Sequence, residues 1–134
     1  MLPDEVARGE AGRGGRVLLV DDELSSAEVL ALILAGEDYH VTLAADARQA
    51  LARLDEAAPD ILVVDFMMPG MNGADLVKSI REIAPYEQVP VVLISGAPEA
   101  ALRRYGVKYD AFLRKPFGLE LFLRTLKGLR RAGA

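Results

Sequence analysis

A chain of 134 residues, 51% apolar and 27% charged, is long enough for one domain to bury roughly two-thirds of its unfolded surface, and its composition is ordinary for a globular protein. A net charge of −4 supplies no broad basic field for nucleic acid, and the lack of cysteine excludes disulfides, thiolate metal sites and a cysteine nucleophile. The apolar runs are too short to cross a bilayer, and the N-terminus lacks the basic and apolar regions of a signal peptide, so a cytoplasmic protein without membrane insertion is expected.

Residues 1–15 are rich in Gly, Arg and Glu and read as a disordered arm. Val17-Leu18-Leu19-Val20 is a first buried strand, and it stops at Asp21-Asp22-Glu23. A helix from about Ser25 to Ala35 carries Ala27, Leu30, Ala31 and Leu34 on one stripe, with Gly36 as its C-cap. Val41-Thr42-Leu43 alternates as a half-exposed edge strand would. Asp46 caps a second helix with an Ala47, Ala50, Leu51, Leu54 stripe, and Pro59 lies beyond its end. Ile61-Leu62-Val63-Val64 then runs into Asp65, and Pro69-Gly70 stops the run. Asn72, with Asp75 three positions on, is the better helix cap, which leaves Asp65 free for chemistry.

From about Gly73 a third helix directs Leu76, Val77, Ile80, Ile83 and Ala84 towards a core. Val91-Val92-Leu93-Ile94 is a fourth buried strand that ends at Ser95-Gly96, and a short helix over 98–105 follows. Ala111-Phe112-Leu113 is a weak last strand leading into Lys115-Pro116. The closing helix, about Leu119 to Arg131, carries Leu119, Phe122, Leu123 and Leu126. Five alternations with short connections call for an α/β fold, a parallel sheet with helices on both faces joined by right-handed crossovers.

In such a sheet Asp21, Asp22, Asp65, Ser95 and Lys115 all fall along one edge, at the C-terminal ends of the strands. With the order 2-1-3-4-5, three carboxylates meet in one shallow pocket. They repel one another unless a cation joins them, and hard oxygen ligands without His or Cys suit Mg²⁺. One carboxylate can then act as nucleophile for phosphoryl transfer, with a lysine and a hydroxyl opposite it. Taken singly, each piece reads better as a cap, turn or surface residue; the combination carries the signal.

The motifs Val-Leu-Leu-Val-Asp-Asp-Glu (17–23), Asp65-Phe-Met-Met-Pro-Gly-Met-Asn-Gly73, Ile94-Ser95-Gly96 and Phe112-Leu-Arg-Lys115-Pro116-Phe117 resemble, in order, the receiver domain of bacterial two-component response regulators. The resemblance implies a flavodoxin-like (βα)5 fold over 16–131, with 132–134 as a tail. It makes Asp65 the phosphoacceptor, Asp22 a direct and Asp21 a water-mediated Mg²⁺ ligand, and Met67 a ligand through its backbone carbonyl. Lys115, preceding a cis bond to Pro116, would contact the phosphoryl group. Ser95 and Phe112 would be the switch hydroxyl and aromatic.

The chain departs from the pattern at Gly96, where the family usually has Ala, and in the run Tyr105-Gly-Val-Lys-Tyr109-Asp110. Lys115 follows Ser95 by only 20 positions. A short or irregular fourth helix is therefore expected; Tyr105, Tyr109, Leu121 and Leu129 are candidates for a partner surface, the alternative being that Tyr105 and Tyr109 cover that helix.

The expected function is a phosphorylation switch served by a sensor histidine kinase or phosphotransfer protein, signalling by contact with a downstream protein as a single-domain regulator. The lone His40, on the edge strand, is not read as a phosphodonor. Alternatives are a receiver module excised from a hybrid kinase or multidomain regulator, and a phosphorylation-independent scaffold with a relic site. A small-molecule phosphatase of the Asp-nucleophile class needs a second Asp where Met67 stands.

Overall fold

The computed structural model describes residues 14–133. The expected N-terminal arm falls almost wholly outside these residues, although β1 begins at Gly15, and the Gly14 amide donates to the Asp38 carbonyl at 2.9 Å. The elements are β1 (Gly15–Val20), α1 (Leu24–Gly36), β2 (Tyr39–Ala44), α2 (Ala47–Ala52), α3 (Leu54–Ala57), β3 (Ile61–Asp65) and α4 (Gly73–Arg81). There follow β4 (Val91–Ser95), a 3-10 helix (Glu99–Tyr105), β5 (Ala111–Arg114) and α5 (Leu119–Gly133).

All strand pairs are parallel and the order is β2-β1-β3-β4-β5, as expected. The period of two along each strand divides the core between the two faces. Leu18, Val20, Leu62, Val64, Val91 and Leu93 meet α2, α3, α4 and the 3-10 helix through Ala50, Leu54, Leu76, Val77, Ile80 and Leu102. Val17, Leu19, Val41, Leu43, Ile61, Val63, Val92 and Ile94 meet α1 and α5 through Ala27, Ala31, Leu34, Phe122 and Leu126. Fully burying one such aliphatic side chain contributes about 1.5–3 kcal/mol, and β3 and β4 are buried along their whole length.

Several expected details differ. β2 is the edge strand, yet it is not half exposed: only His40 is intermediate, because helices cover both of its faces. The left-handed residue after α1 is Asp38, with φ 69°, and Gly36 stays inside the helix. The second helix breaks at Arg53 into α2 and α3, and Ala58 closes it in the left-handed region. Arg53 Nη1 donates to the Leu43 carbonyl of β2 at 2.7 Å and ties the break to the sheet, while Arg16 Nε donates to the Ala57 carbonyl at the end of α3 at 2.8 Å.

α4 stops at Arg81, which leaves Ile83 and Ala84 exposed, since the residue before Pro85 is biased away from the helical region. Among the described side chains of α5 only Phe122 and Leu126 are buried; Leu119, the first residue of the helix, is 48% exposed. The caps at Asp46 and Asn72 form as expected, their side chains accepting from the amides of Gln49 and Asp75.

Candidate functional site

β1 and β3 are neighbours, so their C-terminal ends set Asp21 and Asp65 side by side. Both are buried, at 2% and 5% exposure, while Asp22, one residue on, faces solvent. The turn after each strand supplies one amide to each buried carboxylate. Glu23 N donates to Asp21 Oδ1 at 2.9 Å, and Met67 N donates to Asp65 Oδ1 at 3.1 Å. From β5, Lys115 Nζ reaches the outer oxygens, 3.2 Å from Asp65 Oδ2 and 3.4 Å from Asp21 Oδ2. The Lys115–Pro116 bond is cis.

Asp21, Asp22 and Asp65 each offer a carboxylate oxygen, and these oxygens lie within 4.8 Å of one another. Burial pushes the Asp65 carboxyl up to about 6, and the neighbouring Asp21 charge adds to that; Lys115 and the Met67 amide pull it down. For Lys115, burial lowers the ammonium's pKa, but Asp21 and Asp65 outweigh it and the net direction is upward. An excess of buried negative charge against a single ammonium is a donor set suited to a hard divalent cation such as Mg²⁺.

The direction at Asp65 has a thermodynamic consequence in metal-free buffer. The folded protein holds this proton more tightly than the unfolded chain, whose ordinary value is 3.8. The stabilising contribution is therefore full below about pH 4 and is lost as pH rises through about 6. The swing is on the order of 3 kcal/mol. Urea unfolding of the parent and of Asp65→Asn between pH 4 and 7 checks it: the parent should lose stability relative to the variant, and a constant difference would contradict the assignment.

The remaining expected residues are placed less directly. Ser95 is fully buried at the end of β4, and its Oγ accepts from the Ala97 amide at 3.0 Å. Lys115 N donates to the Ser95 carbonyl at 2.8 Å, so the two residues are neighbours through their backbones. Phe112, level with Leu93, is half-buried and packs against the margin of the core. The Met67 side chain is 60% exposed. Tyr105, the last residue of the 3-10 helix, packs against Phe66 and the core; Tyr109 is half-buried and donates from its hydroxyl to Glu99 Oε2 at 2.6 Å. Leu121 remains 42% exposed.

Two features were not anticipated from the sequence. A groove of about 770 Å³ runs from Asp21 and Lys115 between α1 and the start of α5, walled by Val29, Leu30, Phe117 and Leu119. Val29 is 55% exposed there. The off-stripe position of Val29 on α1 was the available signal. The other is Gly73, where a Cβ would lie 2.7 Å from the Asp65 carbonyl oxygen; the glycine opening a helix eight residues after the acid was its trace in the sequence.

A buried carboxylate pair with an opposed ammonium, at the switch point of a five-stranded parallel sheet, defines the class of phosphoacceptor signalling domains. The chain belongs to the response regulator receiver domain family, whose sequence model matches residues 17–127. It is 35% identical over 119 residues to the DNA-binding response regulator MtrA of Mycolicibacterium paratuberculosis, covering 87% of this chain and 52% of that one. The Vibrio cholerae chemotaxis protein CheY4 superposes with a TM-score of 0.80 at 32% identity, over 90% of this chain and 99% of that structure. The response regulator TrrA from Thermotoga maritima, solved in complex with Mg²⁺ and BeF, matches at 25% identity with a TM-score of 0.73, over 85% and 97% of the two chains. The chain spans about half the length of the curated relatives it matches. Receiver domains are signalling switches, and among the described residues no helix is long and apolar enough to cross a membrane.

Proposed function

We infer that Asp65 is the phosphoacceptor of a cytoplasmic two-component switch, taking its phosphoryl group from a sensor histidine kinase or phosphotransfer protein. The observation that carries this reading is the burial of Asp65 at the end of the central strand, 3.2 Å from Lys115 and beside two further carboxylates. In the transfer a carboxylate oxygen of Asp65 forms a bond to phosphorus, the phosphorus–nitrogen bond of the donor histidine breaks, and the imidazole leaves with the electron pair. The attacking group must be ionised, and at pH 7 a carboxyl of about 6 is mostly so.

Asp21, Asp22 and Asp65 would hold Mg²⁺, with the Met67 carbonyl as a further ligand. The bound ion supplies charge neutralisation and orients phosphoryl oxygens. Lys115 neutralises the remaining phosphoryl charge from the opposite side. The Ser95 hydroxyl donates to the phosphoryl group once it turns from the Ala97 amide, and Phe112 moves inward behind it. Slow self-phosphorylation by small donors and slow autodephosphorylation follow from the same groups.

Incubation with acetyl phosphate and Mg²⁺ tests the assignment. Mass spectrometry should find one added phosphoryl group, mapped to the peptide containing Asp65; an adduct elsewhere would overturn it.

The groove beside Lys115 suits a protein donor rather than a small one, because it sets an aliphatic and aromatic wall beside the polar Glu23, Ser25 and Ser26 and reaches Asp21. A charge on its exposed wall, as in Val29→Asp, should slow phosphotransfer from a kinase or phosphotransfer protein by roughly tenfold or more. Labelling by acetyl phosphate should stay unchanged in the same variant. Equal slowing with both donors would rule out docking in the groove.

Output passes by protein contact. The doubled length of the relatives supports a second reading, a receiver module of a longer regulator, which the sequence of the whole gene decides.

A further inference from the structure

The residue following Asp65 is tied into a closed loop of contacts that passes through neither Ser95 nor Phe112. The Phe66 amide donates to the Ile94 carbonyl at 2.8 Å, and its own carbonyl accepts from Gly73, the first residue of α4, at 2.9 Å. Its ring, 5% exposed, meets the Tyr105 ring edge-on, with centroids 4.8 Å apart and planes at 68°. Tyr105 ends the 3-10 helix, and its carbonyl accepts from Lys78 Nζ of α4. Asp65, Phe66, α4 and the 3-10 helix thus form one ring of direct contacts.

Beyond this ring, the 3-10 helix is held by Leu102 and by the Glu99 carboxylate, which accepts from the Tyr109 hydroxyl at 2.6 Å. It is seven residues long, and only Leu102 is buried. The Arg104 guanidinium sits 5.5 Å over the Tyr105 ring, on an exposed side chain. A segment with so few buried apolar groups lies at the low end of local stability, so one aromatic contact weighs heavily on its position. An edge-to-face pair also has a directional preference, so a shift of Phe66 is felt as a change of geometry and not only of distance.

We propose that the Phe66–Tyr105 ring pair transmits the state of Asp65 to the 3-10 segment, with Lys78 as its tether to α4. This deepens the reading of Asp65 as phosphoacceptor and rests on it. Any displacement of the Asp65 backbone is shared by Phe66 through the peptide bond that joins them. Tyr105 receives it at the far side of the ring contact, and residues 99–105 move with it. Tyr105 is then a positioning residue for the switch segment, distinct from the groups that touch the phosphoryl group.

The test uses the full chain and the probe Mg²⁺ with beryllofluoride, followed by backbone amide NMR. In the parent, amides around Asp21, Asp22 and Asp65 and those of residues 99–105 should both shift. Tyr105→Leu removes the ring while keeping an apolar side chain; the acidic pocket should still shift, and residues 99–105 should not. Tyr105→Phe, which keeps the ring, should retain the full response. Lys78→Met, on an exposed side chain, should weaken the response at 99–105 alone and carries the test if Tyr105→Leu does not fold.

An undiminished response at 99–105 in Tyr105→Leu, or its loss in Tyr105→Phe, would overturn the coupling. So would a parent that shifts only in the pocket. A parent that shows no pocket shift at all would instead overturn the reading of Asp65 on which the coupling rests.

Discussion

Asp65→Asn takes up no phosphoryl group from acetyl phosphate and Mg²⁺, and in metal-free buffer at pH 7 it is more stable than the parent. The two halves of this result have the same cause. Burial and the adjacent Asp21 push the Asp65 carboxyl up to about 6 in spite of Lys115 at 3.2 Å, so its charge is a net cost to the folded state. Asparagine keeps the shape and removes the charge. It also sets an amide near the Lys115 ammonium, which takes back part of the gain. The expected balance is about 1–3 kcal/mol in favour of the variant, read as a higher urea midpoint. The amide cannot form the acyl phosphate, so labelling falls to background. A variant that labels normally, or that is less stable than the parent at pH 7, would contradict this account of the site.

Gly73→Ala should lose about 2–3 kcal/mol although alanine is the better helix former. A Cβ at Gly73 would lie 2.7 Å from the Asp65 carbonyl oxygen and 2.8 Å from Phe66 Cα, and both are backbone atoms that no rotamer change can clear. The Gly73 amide meanwhile donates to the Phe66 carbonyl at 2.9 Å, so the helix start cannot back away without breaking that bond. The loop that carries Asp65 must shift, and phosphoryl uptake should slow along with the loss of stability. Gly36→Ala is the contrast, since nothing lies within 4 Å of its Cβ position inside α1. Urea unfolding of both variants decides the matter: Gly36→Ala should hold or gain stability, and a Gly73→Ala protein as stable as the parent would show that the loop has slack.

β1, β3 and β4 were legible because each is a short apolar run stopped by an acid or a glycine, and a parallel sheet buried on both faces needs such runs. The caps at Asp46 and Asn72 were legible for the same local reason, a side chain three residues before the amide it accepts from. The break at Arg53 and the early stop at Arg81 were not. In both places the helical stripe continues in the sequence: the break is fixed where Arg53 Nη1 donates to the Leu43 carbonyl of β2 at 2.7 Å, and α4 stops ahead of Pro85, where Arg81 donates to the Val89 carbonyl at 2.9 Å.

The residue types at the strand ends, and hence the acids, the hydroxyl and the lysine available for chemistry, are settled by the sequence alone. Their order along the chain, with alternating strands and helices, is enough to direct them to one edge of a sheet. Which of them share a charge environment is a tertiary matter. Asp21 and Asp22 are adjacent in sequence, yet one is buried against Lys115 and the other faces solvent, because a strand end turns neighbouring side chains to opposite sides. The shift at Asp65 likewise depends on burial and on charges 44 and 50 positions away, which no local pattern encodes. The Phe66–Tyr105 contact closes over 39 positions through a segment too short to form a regular helix, so it exists only once α4 and the sheet have packed.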